Sequence, residues 1–141
     1  MKFKNTTHAM IYKTFVISAP YKFSNQFLAA AFLLSASKET WRRAKLALHK
    51  KTIDFAGISK SGLTEYGYAL VSIAQDLYEG TTHVNLYDLC DQYVIQNNLF
   101  DLVVEAMHIS RGGYEEIGIS KTGLERVVTT ALFISSCSPN M

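Results

Sequence analysis

"AGISKSGLTEYG", residues 56–67, sets Gly57 and Gly62 five apart with Thr64 behind them, and its core returns in "IGISKTGLERVV", residues 117–128. A phosphate cradle of the Walker type needs Lys directly after the second glycine and then Ser or Thr for magnesium, with a strand running into the loop. Here Leu63 and Leu124 stand in the lysine's place, Lys60 and Lys121 lie inside the loop, and Glu125 replaces the hydroxyl in the second copy. "TIDFA" (52–56) is also weak as a strand. A helix start accounts for each residue. Ser59 and Ser120 read as N-caps that accept from otherwise unpaired backbone N–H groups. Ile58 with Leu63, and Ile119 with Leu124, read as hydrophobic staples. The likeness, offset by 61 residues, fades after Leu63 and Leu124, so it is reuse of a cap and not a solenoid period.

Working outward, helical spacing dominates. Residues 7–18 put Ile11, Phe15 and His8 on one stripe, and Pro20 marks a turn. Ser24 caps a helix to about residue 35 that is apolar nearly all round, which places it at the centre of a bundle. A third helix is predicted over 37–50 with Trp41, Ala44 and Leu48 inward, and 51–58 is a connector. A fourth runs over 60–78 with Leu63, Tyr66, Leu70, Ile73 and Leu77 as its seam, stopped by Gly80. Helices over 85–96 and 98–109 are capped by Asn85 and by Asn97 or Asn98. Gly112 and Gly113 break the chain before a last helix over 121–135. No linker divides it. The expectation is one all-α domain, residues 1–141, a compact bundle of about six to seven helices.

The chain has 141 residues, 48% hydrophobic and 18% charged, a globular composition with enough length for a core. Cys90 and Cys137 fit no disulfide framework or zinc spacing, and no cofactor motif is present. "FLAAAFLL" (27–34) is too short to span a bilayer, and the start of the chain reads as no secretory signal, so a cytoplasmic place and no membrane partner are expected. Charge is uneven. Residues 1–51 carry ten Lys and Arg against one acid, and residues 52–141 carry four against eleven. The halves attract within one fold, pair head-to-tail between copies as a homo-oligomer, or expose the basic half to a polyanion.

The basic half is densest in "KETWRRAKLALHKK" (38–51). At 100° per residue Lys38, Arg42, Lys45 and His49 share one stripe, while Arg43 and Lys50 flank Leu46 on a second. This face is the candidate for nucleic acid or an acidic protein, although its basic last turn also suits the helix dipole. Tyr68, Tyr87 and Tyr93 are expected to be partly exposed. Tyr87 with Asp76, Glu79, Asp88 and Asp91 forms a candidate protein-binding surface. Asp101, Glu105 and His108 share a helix face, and Glu105 with His108 makes a Glu-x-x-His. A carboxylate metal site needs two such motifs and further Glu, so these three are minor metal candidates. His8, four before Tyr12, is a minor candidate for a general base.

Several of these segments together resemble a family of short bacterial and mobile-element proteins, a domain of unknown function. His8 and Tyr12 match its opening, and "ETWRR" (39–43) its Thr-Arg segment. "SIAQDLYEG" (72–80) resembles its central segment through Ala74, Leu77, Tyr78 and Gly80. "LFDLVVEAMHISRGGYEE" (99–116) is similar to its ending. "LTEY" (63–66) replaces the family's Trp-Gln-Thr, and "GGYE" (112–115) its Tyr-Pro-Glu-Tyr. The resemblance implies no activity. The function expected from all of this is a non-enzymatic helical interaction protein, a phage or mobile-element accessory factor that binds and modulates a bacterial macromolecule. The alternatives are nucleic-acid binding through Lys38, Arg42, Arg43, Lys45 and Lys50, and a metal-dependent enzyme around Glu105 and His108.

Overall fold

A computed structural model describes residues 1–118; the predicted helix over 121–135, the Ser120 cap, the Ile119–Leu124 staple and Cys137 lie outside the described residues. The fold is all-α; among the described residues the strand content is one hairpin of two two-residue strands. Its axis is α2 (Asn25–Leu34), capped by Ser24, whose side chain accepts from the Phe27 N–H. Every residue from Phe27 to Leu34 is buried. Three successive alanines let neighbours approach closely, and the helices before and after it in the chain pack against it. Among the described residues no helix is long and apolar enough to cross a membrane.

Helix α1 (Thr6–Ser18) is capped by Asn5 and buries His8, Tyr12 and Val16. The predicted stripe is therefore turned by about one position, leaving Ile11 and Phe15 half-buried at its flank. Two polar ties cause the rotation. The Tyr12 hydroxyl donates to Leu28 O at 2.9 Å, and His8 Nε2 donates to Phe32 O at 2.7 Å. Residues four apart on α1 thus meet carbonyls four apart on α2 in reverse order, which sets the helices antiparallel. The Lys4 N–H donates to His8 Nδ1 at 3.0 Å, fixing the neutral Nε2–H tautomer. Beyond Pro20 the Phe23 ring stacks on Phe27 with centroids 4.2 Å apart, and Phe15 meets the edge of Trp41.

Helix α3 spans Lys38–Lys45, shorter than the predicted 37–50. Trp41 and Ala44 face inward as expected, and the Thr40 hydroxyl donates to Leu34 O at 2.6 Å. The chain then turns through β1 (Leu48–His49) and β2 (Thr52–Ile53), with Lys50 at φ 58. β-branched Thr52 and Ile53 favour the extended arm, and Ile53 becomes buried by it.

Helix α4 (Glu65–Glu79) corrects the reading of Ser59. Thr64 is the N-cap, accepting from the Gly67 N–H at 3.1 Å. Gly62 sits at φ +76, which a helix begun at residue 60 does not allow. Ser59 Oγ instead accepts from the Ser61 N–H within a turn. Gly80, at φ 75, ends α4 as its position predicts. Of the expected seam, Leu70 and Ile73 are buried, while Leu63, Tyr66 and Leu77 are half-buried.

The predicted helix over 85–96 is also corrected. Only α5 (Leu86–Leu89) forms, on a capping box between Asn85 and Asp88. The chain then turns so that Ile95 reaches the core. Helix α6 (Asn97–Gly112) follows, with Gln96 at the N-cap position making no side-chain cap bond; Asn98, inside the first turn, accepts from the Leu99 N–H at 2.8 Å. Its buried residues, Leu99, Leu102, Val103, Ala106 and Ile109, repeat at helical spacing. Tyr66 at the start of α4 lies with Leu102, and Ile73 and Leu77 lie with Val103 and Met107, so α4 and α6 run parallel. Residues 80–96 return the chain along their seam as a strap. Gly113, at φ 59, ends α6, and the Tyr114 hydroxyl accepts from the Phe23 N–H at 2.6 Å.

Burial pushes the His8 pKa below its ordinary value, with a smaller opposing contribution from the Phe32 carbonyl. The unfolded chain therefore binds the extra proton first, so stability is full above about pH 6.5 and falls as pH drops below it. In urea titrations across pH, the wild-type unfolding free energy is expected to fall between about pH 7 and 5, and His8→Gln to lose most of that slope. An unchanged slope in the variant contradicts this assignment.

Candidate protein-binding face

The basic residues picked out in the sequence are not one surface. Glu39 accepts from Arg42 Nη2 at 2.7 Å and from Arg43 Nε at 2.8 Å, and these hydrogen bonds hold its carboxyl at about 2. Arg43 also donates through Nη1 to Ser59 O at 2.8 Å and Ser61 O at 2.7 Å. Its side chain is 18% exposed, and it latches the loop before α4. Lys38 and Lys45 are exposed on α3, but Lys50 and His49 belong to the hairpin. The two helical stripes expected from the spacing therefore end at Lys45.

The acids named with Tyr87 mainly build the strap. Asp76 lies at the C-terminal end of α4, and its carboxylate accepts from the Thr81 hydroxyl at 2.7 Å. It also accepts from the backbone N–H groups of His83 and Val84, each at 2.8 Å, and from the His83 ring Nδ1 at 2.8 Å. Burial opposes its ionisation, but these donors outweigh burial and hold the carboxyl below its ordinary value. Asp88 closes the capping box, and Asp91 accepts from the Tyr93 N–H at 2.9 Å. Glu79 is exposed and accepts from Gln75. Asp76 is thus a half-buried fastening residue whose carboxylate is taken up by the strap's own donors.

What the strap presents outward is apolar. Leu86 is 74% exposed, Tyr87 82% and Tyr93 89%, with Val94 and Phe100 exposed beside them. Only Val84, Leu89 and Ile95 of the strap turn toward the core. Tyr93 stands between two depressions. One, of about 690 Å³, is lined by Tyr87, Leu89, Cys90, Tyr93, Ile95 and Phe100 among others. The other, of about 360 Å³, includes Tyr66, Ala69, Val94 and Leu99. Tyr87 and Tyr93 are expected from the sequence, but Leu86, Val94 and Phe100 are not; for Leu86 and Val94 the reason is the assignment of residues 85–96 to one helix, which here ends at Leu89. A signal was present: residues 61–110 contain seven acids and no Lys or Arg. The strap itself therefore carries acids and no Lys or Arg; the cations nearest this face come from the N-terminus, where Lys4 lies over the Tyr66 ring and Lys2 pairs with Asp101.

The remaining candidates are scattered. Asp101 is exposed and pairs with Lys2 at 3.4 Å, Glu105 is half-buried, and His108 is exposed. Among the described residues no group of three or more His, Cys, Asp and Glu is placed to hold a metal ion. His8 is buried with both ring nitrogens engaged, which leaves it no free nitrogen to act as a base. The positions behind the family resemblance have structural uses: His8 and Tyr12 tie α1 to α2, Arg43 latches a loop, and Gly80 ends α4. Compared with protein-family models, curated proteins and solved structures, the chain matches none.

Asp76→Ala removes the acceptor for the strap's first residues and leaves their N–H groups unpaired. It is expected to cost about 1–3 kcal/mol of stability and to open residues 80–90 to limited proteolysis while the α2 core stays protected. Cleavage no faster than in wild type contradicts the fastening role.

Proposed function

We propose that the protein is a non-enzymatic interaction module that docks a protein partner on the strap face formed by Leu86, Tyr87, Tyr93, Val94 and Phe100. The observation that carries this reading is the set of large apolar side chains held outward on a strap whose backbone is fastened by Asp76, Asp88 and Asp91. Soluble proteins rarely leave contiguous apolar surface of this kind uncovered without a use. Tyrosines supply large contact area at low entropic cost, and side chains of this type dominate binding energy. The absence of Lys and Arg from residues 61–110 sets the chemistry of the partner: a segment offering apolar side chains beside cations. A small protein acting only through such a face suits an accessory factor that modulates a larger macromolecule. Nucleic-acid binding draws less support, since Arg42 and Arg43 are engaged with Glu39 and the Ser59 and Ser61 carbonyls, and the strap carries no Lys or Arg.

The test is affinity capture with three proteins: wild type, Tyr87→Ala/Tyr93→Ala, and Lys45→Glu/Lys50→Glu. A specific protein retained by wild type and by the lysine variant, and lost with the tyrosine variant, is the expected result. Loss confined to the lysine variant, together with salt-sensitive binding of mixed DNA and RNA by wild type, contradicts it.

A further inference from the structure

The strap face calls for an apolar side chain ringed by cations, and this chain carries one. Leu46, the residue that ends α3, is 80% exposed. Arg42 lies one turn before it, Lys45 directly before it, and His49 at the end of β1 and Lys50 and Lys51 in the hairpin turn follow; all are exposed. The shortening of α3 creates this knob. Had the helix continued to residue 50, Leu46 would have lain on a long cationic cylinder. Instead it stands at a corner between a helix end and a tight turn.

The two surfaces do not neutralise each other within one molecule. Among the described residues Lys38, Lys45, Lys50 and Lys51 enter no ion pair, and Arg42 is paired with Glu39 of its own helix. On the strap, Asp88 and Asp91 accept from backbone N–H groups and, among the described residues, meet no cation. Each surface therefore keeps the charge that the other lacks. The depression beside Tyr87, Tyr93 and Phe100, at about 690 Å³, is roomy enough for a leucine side chain.

Resting on the reading of the strap as a docking face, we infer that its occupant is the Leu46 knob of a second copy of this chain. Leu46 enters the Tyr87–Tyr93–Phe100 depression, and Lys45, Lys50 and Lys51 lie over Asp88, Asp91 and the acids of α4 and α6. The contact joins unlike faces of two molecules. It is small for a specific interface, so association is expected to be weak and sensitive to salt.

Sedimentation velocity across a concentration series tests this with three proteins: wild type, Leu46→Glu and Tyr87→Ala/Tyr93→Ala. All three altered side chains are exposed, so the variants are expected to keep the wild-type thermal midpoint. Wild type is expected to self-associate at low salt and to dissociate in about 1 M salt, where charges are screened beyond about 3 Å. Each variant alone is expected to weaken self-association at least about tenfold. An equimolar mixture of the two variants is expected to regain association, because each retains the face the other has lost. Wild type that stays monomeric at low salt overturns the inference. So does a mixture that stays monomeric, or a Leu46→Glu protein that associates like wild type. If association fails in these ways while the tyrosine variant still loses a captured protein, the strap remains a docking face and only its occupant is wrong.

Discussion

A helix with no polar side must be covered on every side, and α2 imposes that demand on the whole chain. Burial of each of its Leu and Phe side chains contributes about 1.5–3 kcal/mol, and four helices are recruited to provide it. The covering helices are also registered by polar groups. His8, Tyr12 and Thr40 donate to the carbonyls of Phe32, Leu28 and Leu34, and the Tyr114 hydroxyl receives the Phe23 N–H just before α2 begins. Because each of these groups is buried, displacing a helix by one turn would leave it unpaired, which costs more than the bond itself contributes. Apolar burial holds α2 in the middle; these four bonds set how its neighbours lie on it.

The parallel arrangement of α4 and α6 creates the second constraint. Parallel neighbours need a connection that runs back along both helices, and residues 80–96 supply it. A strap with few inward side chains holds poorly by hydrophobic contact alone. Asp76, Asp88 and Asp91 secure it by accepting from its own backbone, and this releases Leu86, Tyr87, Tyr93 and Val94 from any role in the core. Fastening through the backbone and display through the side chains are two consequences of the same local chemistry. A pre-organised face of this type loses little freedom on docking, which favours association.

The sequence shows α2 clearly because an all-round apolar helix has one place in a bundle. The ends of α1 and α4 were equally legible through Pro20 and Gly80. Reading failed where a short polar motif has two uses. Ser59 has the composition of an N-cap, yet Gly62 at positive φ and the Arg43 latch make its segment a loop, and Thr64 takes the cap. In the stretch 38–51 the helical period continues past Lys45, but β-branched Thr52 and Ile53 draw the chain into a hairpin. For the site, the aromatic and acidic composition around Tyr87 was visible. Which acids were consumed as acceptors was not, because Asp76 reaches residues 81–84 through a geometry no periodicity encodes.

Amide hydrogen exchange on the free protein tests most directly whether the strap is a fixed surface. The His83 and Val84 amides lie in a connection without helical hydrogen bonds, and they are expected to exchange far more slowly than an open loop because Asp76 holds them, while α2 amides exchange slowest of all. Exchange of residues 81–84 at the rate of an unprotected chain, beneath a protected α2, would mean that the aromatic side chains have no fixed arrangement and that the docking face does not exist.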